Sequence, residues 1–148
     1  MTTSLTVLYK RELNKLKDEI SSYSNDNLLW KIDTDIKNSA GNLAIHIIGN
    51  LNHFIGAILG NSGYIRQREK EFNDKNIPKE FIINQIDEVK IILEEVFSSL
   101  TKEDLDKKYP LEVFGKPMTT EYFLLHLYGH LNYHLGQINY HRRLLNNC

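Results

Sequence analysis

Apolar residues recur at three- and four-residue steps through four long segments of the 148-residue chain, the spacing of helices that bury one face. The first segment runs from about Thr3 to Tyr23, with Leu5, Leu8, Leu13, Leu16, Ile20 and Tyr23 separated by charged residues. A polar connection, Ser24 to Asn38, comes next; its Leu28, Leu29, Trp30 and Ile32 are expected to pack over the bundle rather than face water. Asn38 or Ser39 caps a second helix that runs to about Gly60 and is apolar on nearly every side. Pro78 opens a third through about Leu100, where Phe81, Ile82, Ile86, Val89, Leu93, Val96 and Phe97 form one stripe. Thr101 with Asp104 resembles a capping box and predicts a brief helical turn, before an extended piece from Tyr109 to Met118. Thr119 or Thr120 caps the fourth helix, Glu121 to Leu145, whose last turns carry Arg142 and Arg143. Prolines occur only at 78, 110 and 117, so nothing breaks these segments. The pattern predicts an all-α fold: a four-helix bundle with long connections, in which Asn61 to Ile77 and Lys107 to Met118 shape one end.

Length and composition narrow this to one domain over residues 1–148, since 41% hydrophobic and 25% charged residues match a soluble globular chain. Eighteen basic residues against 19 acidic ones give a net charge of -1 and no basic field, so neither nucleic acid nor a membrane is an expected partner. The single cysteine, Cys148, offers no internal disulfide and no thiolate metal site, which suits a reducing cytoplasm. No apolar signal region is expected from Met1 to Leu16, and His46, Asn50, Asn52 and His53 interrupt the richest apolar stretch, Leu43 to Leu59. That stretch, hard to cover within four helices, predicts a homodimer.

All six histidines fall in two helices: His46 and His53 in the second, His126, His130, His134 and His141 in the fourth. The fourth-helix set with Gln137 spans an arc of roughly 80°, as do Asn42, His46, Asn50 and His53 in the second. Two polar stripes on otherwise apolar helices must meet each other, meet a cavity, or leave donors unsatisfied at about 1–3 kcal/mol each. A shared pocket of Asn50, His53, His126 and Gln137 around metal-binding histidines satisfies them. Imidazoles at i and i+4 can converge on one ion with a third from a facing helix, leaving an open position. Zn²⁺ suits such a site, while Ni²⁺, Co²⁺ and Fe²⁺ also accept imidazole. Neither stripe supplies a carboxylate, so a di-iron centre is excluded; a satisfied polar seam and metal-free acid–base chemistry remain as alternatives.

The run His126-Leu-Tyr-Gly-His130-Leu-Asn-Tyr-His134-Leu-Gly136-Gln137-Ile138, preceded by Gly115-Lys-Pro-Met-Thr-Thr120, resembles the last helix of the DinB-like (DinB/YfiT) superfamily. Ser39-Ala-Gly-Asn-Leu-Ala-Ile-His46-Ile-Ile-Gly-Asn50 resembles that superfamily's histidine-bearing helix, and Leu28 with Trp30 its approach to that helix. The resemblance spans nearly the whole chain. It implies a DinB-like four-helix bundle whose divalent metal, Zn²⁺ or Ni²⁺ foremost, is held by His46, His130 and His134. It further implies a small-molecule substrate: some members are thiol transferases joining low-molecular-weight thiols to electrophiles, others isomerases or metal-dependent hydrolases. Hydrolysis usually wants a nearby general base, and the stripes lack one, which favours thiol transfer. The alternative is a non-enzymatic bundle that binds a small ligand or a protein, with a structural metal or none. His141 is expected to face solvent or a partner. Gly49, Gly56, Gly129 and Gly136, costly within helices, imply close approach of another helix or a substrate. Arg66 and Arg68 beside Glu69, Lys70 and Glu71 are read as a solvated charge run.

Overall fold

The computed structural model describes residues 2–146; Cys148, on which the redox expectation rests, lies outside them. In chain order the helices are α1 (Thr2–Ser21), α2 (Ala40–Leu51), α3 (Arg68–Asn73), α4 (Lys79–Ser99), α5 (Lys102–Asp106) and α6 (Thr120–Leu145). The four long ones form the bundle: α1 packs on α4 and α6, and α2 closes the ring against the same two. Their inward rows interlock at three- and four-residue steps, among them Leu5, Tyr9, Leu13, Leu16 and Ile20 on α1 and Leu124, Leu127, Leu131, Leu135 and Ile138 on α6. Among the described residues no strand forms, and no helix is long and apolar enough to cross a membrane.

Local chemistry sets the helix ends. Ser39 accepts from the Asn42 amide and Thr119 from the Tyr122 amide, each satisfying an otherwise orphaned first-turn donor. Thr101 and Asp104 form a full capping box at α5. After Leu51 the second helix continues for one π-helical stretch, Asn52–Ala57. The wider turn shifts the facing of the residues that follow it. Tyr109 donates to the Phe54 carbonyl within this stretch (2.6 Å), pinning the connection before α6 to the bundle.

Three expectations change. Ile32 and Phe81 are exposed rather than packed. The Ser24-to-Asn38 connection contains a 3-10 turn, Asp26–Trp30, that buries Leu29 and lays the Trp30 ring across Gly41. The all-round apolarity of α2, the ground for expecting a homodimer, is satisfied within one chain, because α3, α4, α6 and this turn cover it and 11 of its 12 residues are buried.

Candidate metal centre

His46 on α2 and His130 and His134 on α6 meet in the bundle and each offers one nitrogen to a common point. The Nε2 atoms of His46 and His130 are 3.2 Å apart and those of His134 and His130 3.1 Å. Four residues separate His130 from His134, so one helical turn aims both imidazoles the same way.

The outer nitrogens fix the tautomers. Glu71 takes a hydrogen bond from His46 Nδ1 (2.9 Å) and is clamped in bidentate fashion by Arg66, whose Nε and Nη2 donate to Oε2 and Oε1 at 2.8 Å. Burial pushes the Glu71 carboxyl up, but the bonds from Arg66 and His46 outweigh it and hold the carboxyl below its ordinary range. An ionised carboxylate only accepts, so His46 carries a proton on Nδ1 and turns Nε2 toward His130. His134 does the same: its Nδ1 donates to Gln137 Oε1 at 2.7 Å. His130 stands between those two Nε2 atoms. Burial first, then repulsion from His134 and His46, pushes its pKa down to about 4, so it is neutral at physiological pH. Its neutral ring can offer a well-aligned proton to at most one of those nitrogens.

Such a convergence of imidazole nitrogens fits a divalent cation. Tetrahedral ligands at 2.0–2.1 Å from one zinc lie about 3.3 Å from one another, close to the separations here. With three nitrogens from the chain and, among the described residues, no fourth histidine or carboxylate in the group, the arrangement matches open rather than saturated sites.

The other histidines lie elsewhere. His126 is exposed, edge-on to Phe114 at 4.7 Å between ring centres. His53, on the π-helical stretch, is half-buried beside Phe54 and outside the group. His141, expected at the surface, is buried: it accepts from the Tyr23 hydroxyl at Nδ1 (2.7 Å) and donates from Nε2 to the Lys31 carbonyl (2.8 Å). That pairing ties α1, α6 and the connection after α1. Asn50 is buried one turn beyond His46 with its Oδ1 unpartnered, and Gln137 joins the site by orienting His134. A cavity of about 510 Å³ opens against His134 and Gln137, walled by Leu43, Asn38, Tyr140 and His141.

Glu71 and Arg66, read as surface charges, join the histidine cluster, a contact the sequence pattern concealed. Glu71 comes from neither stripe but from the short α3, and its exposure is only 3%. One signal pointed to it. A Cβ on Gly49 would fall on the Glu71 carboxylate, so that glycine admits the carboxylate to the α2 surface. Gly56 likewise meets Ile92 and Ser62, whereas Gly129 and Gly136 face open space and touch no other helix of the chain.

Residues 4–148 match the family described as protein of unknown function (DUF1572). No curated protein matches the chain. The crystal structure of a DinB-like protein from Bacillus cereus ATCC 10987 superimposes with a TM-score of 0.67 at 23% identity, over 90% of this chain and 85% of that one.

Proposed function

The chain belongs to the DUF1572 family and has a DinB-like fold, and from that premise we propose that it is a divalent-metal protein serving thiol-dependent transfer or hydrolysis on a small molecule. Its ligands are His46, His130 and His134, and Zn²⁺ or Ni²⁺ is the ion. The observation that carries this reading is the convergence of three imidazole Nε2 atoms with no fourth ligand among the described residues. A divalent ion held there supplies a Lewis acid able to activate water or a thiol at neutral pH.

The chain's own groups have distinct tasks. Glu71 and Gln137 keep the protons of His46 and His134 on the outer nitrogens; Arg66 keeps Glu71 ionised and fixed. The cavity beside His134 gives a small molecule room to approach, with Leu43 and Tyr140 as apolar walls. Asp35 lines the cavity that opens against His134, and Glu71 is the carboxylate bonded to the histidine cluster. Glu71 lies behind His46, committed to Nδ1 and Arg66, and is not free to take a proton from an attacking water. With Glu71 committed, Asp35 is the carboxylate open to a reacting water, and a thiol needs such a base less because it gives up its proton more easily.

Loading the protein with Co²⁺ and adding 2-mercaptoethanol tests this. A thiolate-to-cobalt charge-transfer band that saturates with thiol is the expected result. A cobalt spectrum indifferent to thiols and to small anions would mean a closed, structural metal, and the non-enzymatic alternative would replace the enzyme.

A further inference from the structure

The outer face of α6 has no counterpart in the bundle. From Tyr122 to His141 the helix carries 20 consecutive residues without a formal charge, although one side of it is open to solvent. Tyr122, Leu125, Tyr133 and Tyr140 stand out on that side at 57%, 50%, 66% and 67% exposure. Between them lie Gly129 and Gly136, where an added Cβ would meet nothing within 4 Å. At about 100° per residue these six positions share an arc of roughly 80°.

The stripe is its own complement. About a point between Asn132 and Tyr133, Gly129 mirrors Gly136, Leu125 mirrors Tyr140, and Tyr122 mirrors Arg143. Two copies of α6 set antiparallel across a two-fold axis at that point oppose the glycines of one to those of the other. Tyr140 then lies against Leu125, and the Arg143 guanidinium against Tyr122, the contact it already makes with Tyr140 at 5.5 Å within the chain. Tyr133, next to the axis, finds the hollows above the partner's glycines on either side. Among the described residues of α6, no acidic or basic side chain except Arg143 falls within this arc, and Asp35 and Lys37 flank its Tyr140 end with opposite charges.

The area is adequate. At 150–250 Å² for each aromatic side chain, the exposed parts of the three tyrosines and the leucine amount to on the order of 450 Å². A stable dimer buries about 800 Å² per partner, somewhat over half of it apolar. His126, Asn132, Gln137 and Arg143 supply a polar rim.

We infer that the face of α6 formed by Tyr122, Leu125, Gly129, Tyr133, Gly136 and Tyr140 is the docking surface for a second copy of this chain, joined antiparallel about a two-fold axis near Tyr133. Light scattering on the full chain, with a reductant so that Cys148 cannot link copies, should return about twice the 17.3 kDa chain mass from the low to the high micromolar range. The double variant Gly129→Glu, Gly136→Glu should return the monomer mass with unchanged circular dichroism, because neither position touches anything within its own chain. Tyr140→Ser should raise the dimer dissociation constant at least tenfold. A wild-type chain that is monomeric throughout, an assembly larger than two, or a folded double variant that dimerises as tightly as wild type would overturn the assignment.

Discussion

Glu71 decides how well His46 can serve as a ligand, because it sets both the tautomer and the ring's orientation. Outer-sphere carboxylates of this kind typically account for 10–100-fold in metal affinity. Glu71→Gln should therefore weaken binding by about one to two orders of magnitude in a competition titration against a chromophoric chelator, with the fold kept. Unchanged affinity would mean that His46 is oriented by packing alone. His130 and His134 bring a pH dependence. Both are pushed below the ordinary histidine value, His130 to about 4, with burial as the largest cause. The unfolded chain, whose imidazoles titrate near pH 6.5, binds protons that the folded chain refuses between those values, so folding stability rises with pH across that window. Metal-free protein should accordingly lose stability in denaturant melts as pH falls from about 6.5 toward 4. In the same window bound metal should be released progressively as pH falls toward 4, since protons then compete for the imidazoles.

Among the elements, α2 carries the tightest constraints. Gly41 lies under the Trp30 ring, 2.8 Å from where a Cβ would sit, and the ring has little room to retreat because the 3-10 turn below it is anchored by buried Leu29. Gly41→Ala should cost about 1–3 kcal/mol in thermal or denaturant unfolding while leaving metal affinity unchanged. His141→Ala, which strands the Lys31 carbonyl and leaves the Tyr23 hydroxyl only a long bond to the Ile138 carbonyl (3.4 Å), should cost a similar 1–3 kcal/mol and also spare the metal. The long helices and their caps could be read from the sequence because periodicity and a capping serine or threonine are local signals. The two histidine stripes stood out for the same reason, and the resemblance to the DinB-like superfamily singled out His46, His130 and His134 among them. Three features escaped that reading. α3 is six residues long, too short for a period to register, so Glu71 passed for a surface charge. His53 lies in the π-helical stretch two turns beyond His46 and packs beside Phe54 instead of joining the group. His141 shares an arc with the metal histidines but lies two turns further along, where the chain after α1 crosses α6 and buries it. Long-range contacts, not local pattern, decide each of these.

For the molecule as a whole, the ring of four long helices puts the least protonatable histidine, His130, between the Nε2 atoms of His46 and His134 and opens a cavity at the edge of that group. Apolar rows hold the bundle, so removing metal should leave the protein folded. Metal content measured by elemental analysis, on protein produced without an affinity tag and dialysed against Zn²⁺ or Ni²⁺ and then against metal-free buffer, tests the central claim most directly. Wild-type chain should retain one equivalent, His130→Ala none while remaining helical, and His126→Ala, which alters an exposed ring outside the group, one equivalent. Retention of a full, tightly held equivalent by His130→Ala, or no uptake by the wild-type chain, would contradict the three-histidine site and leave the cluster as a polar seam.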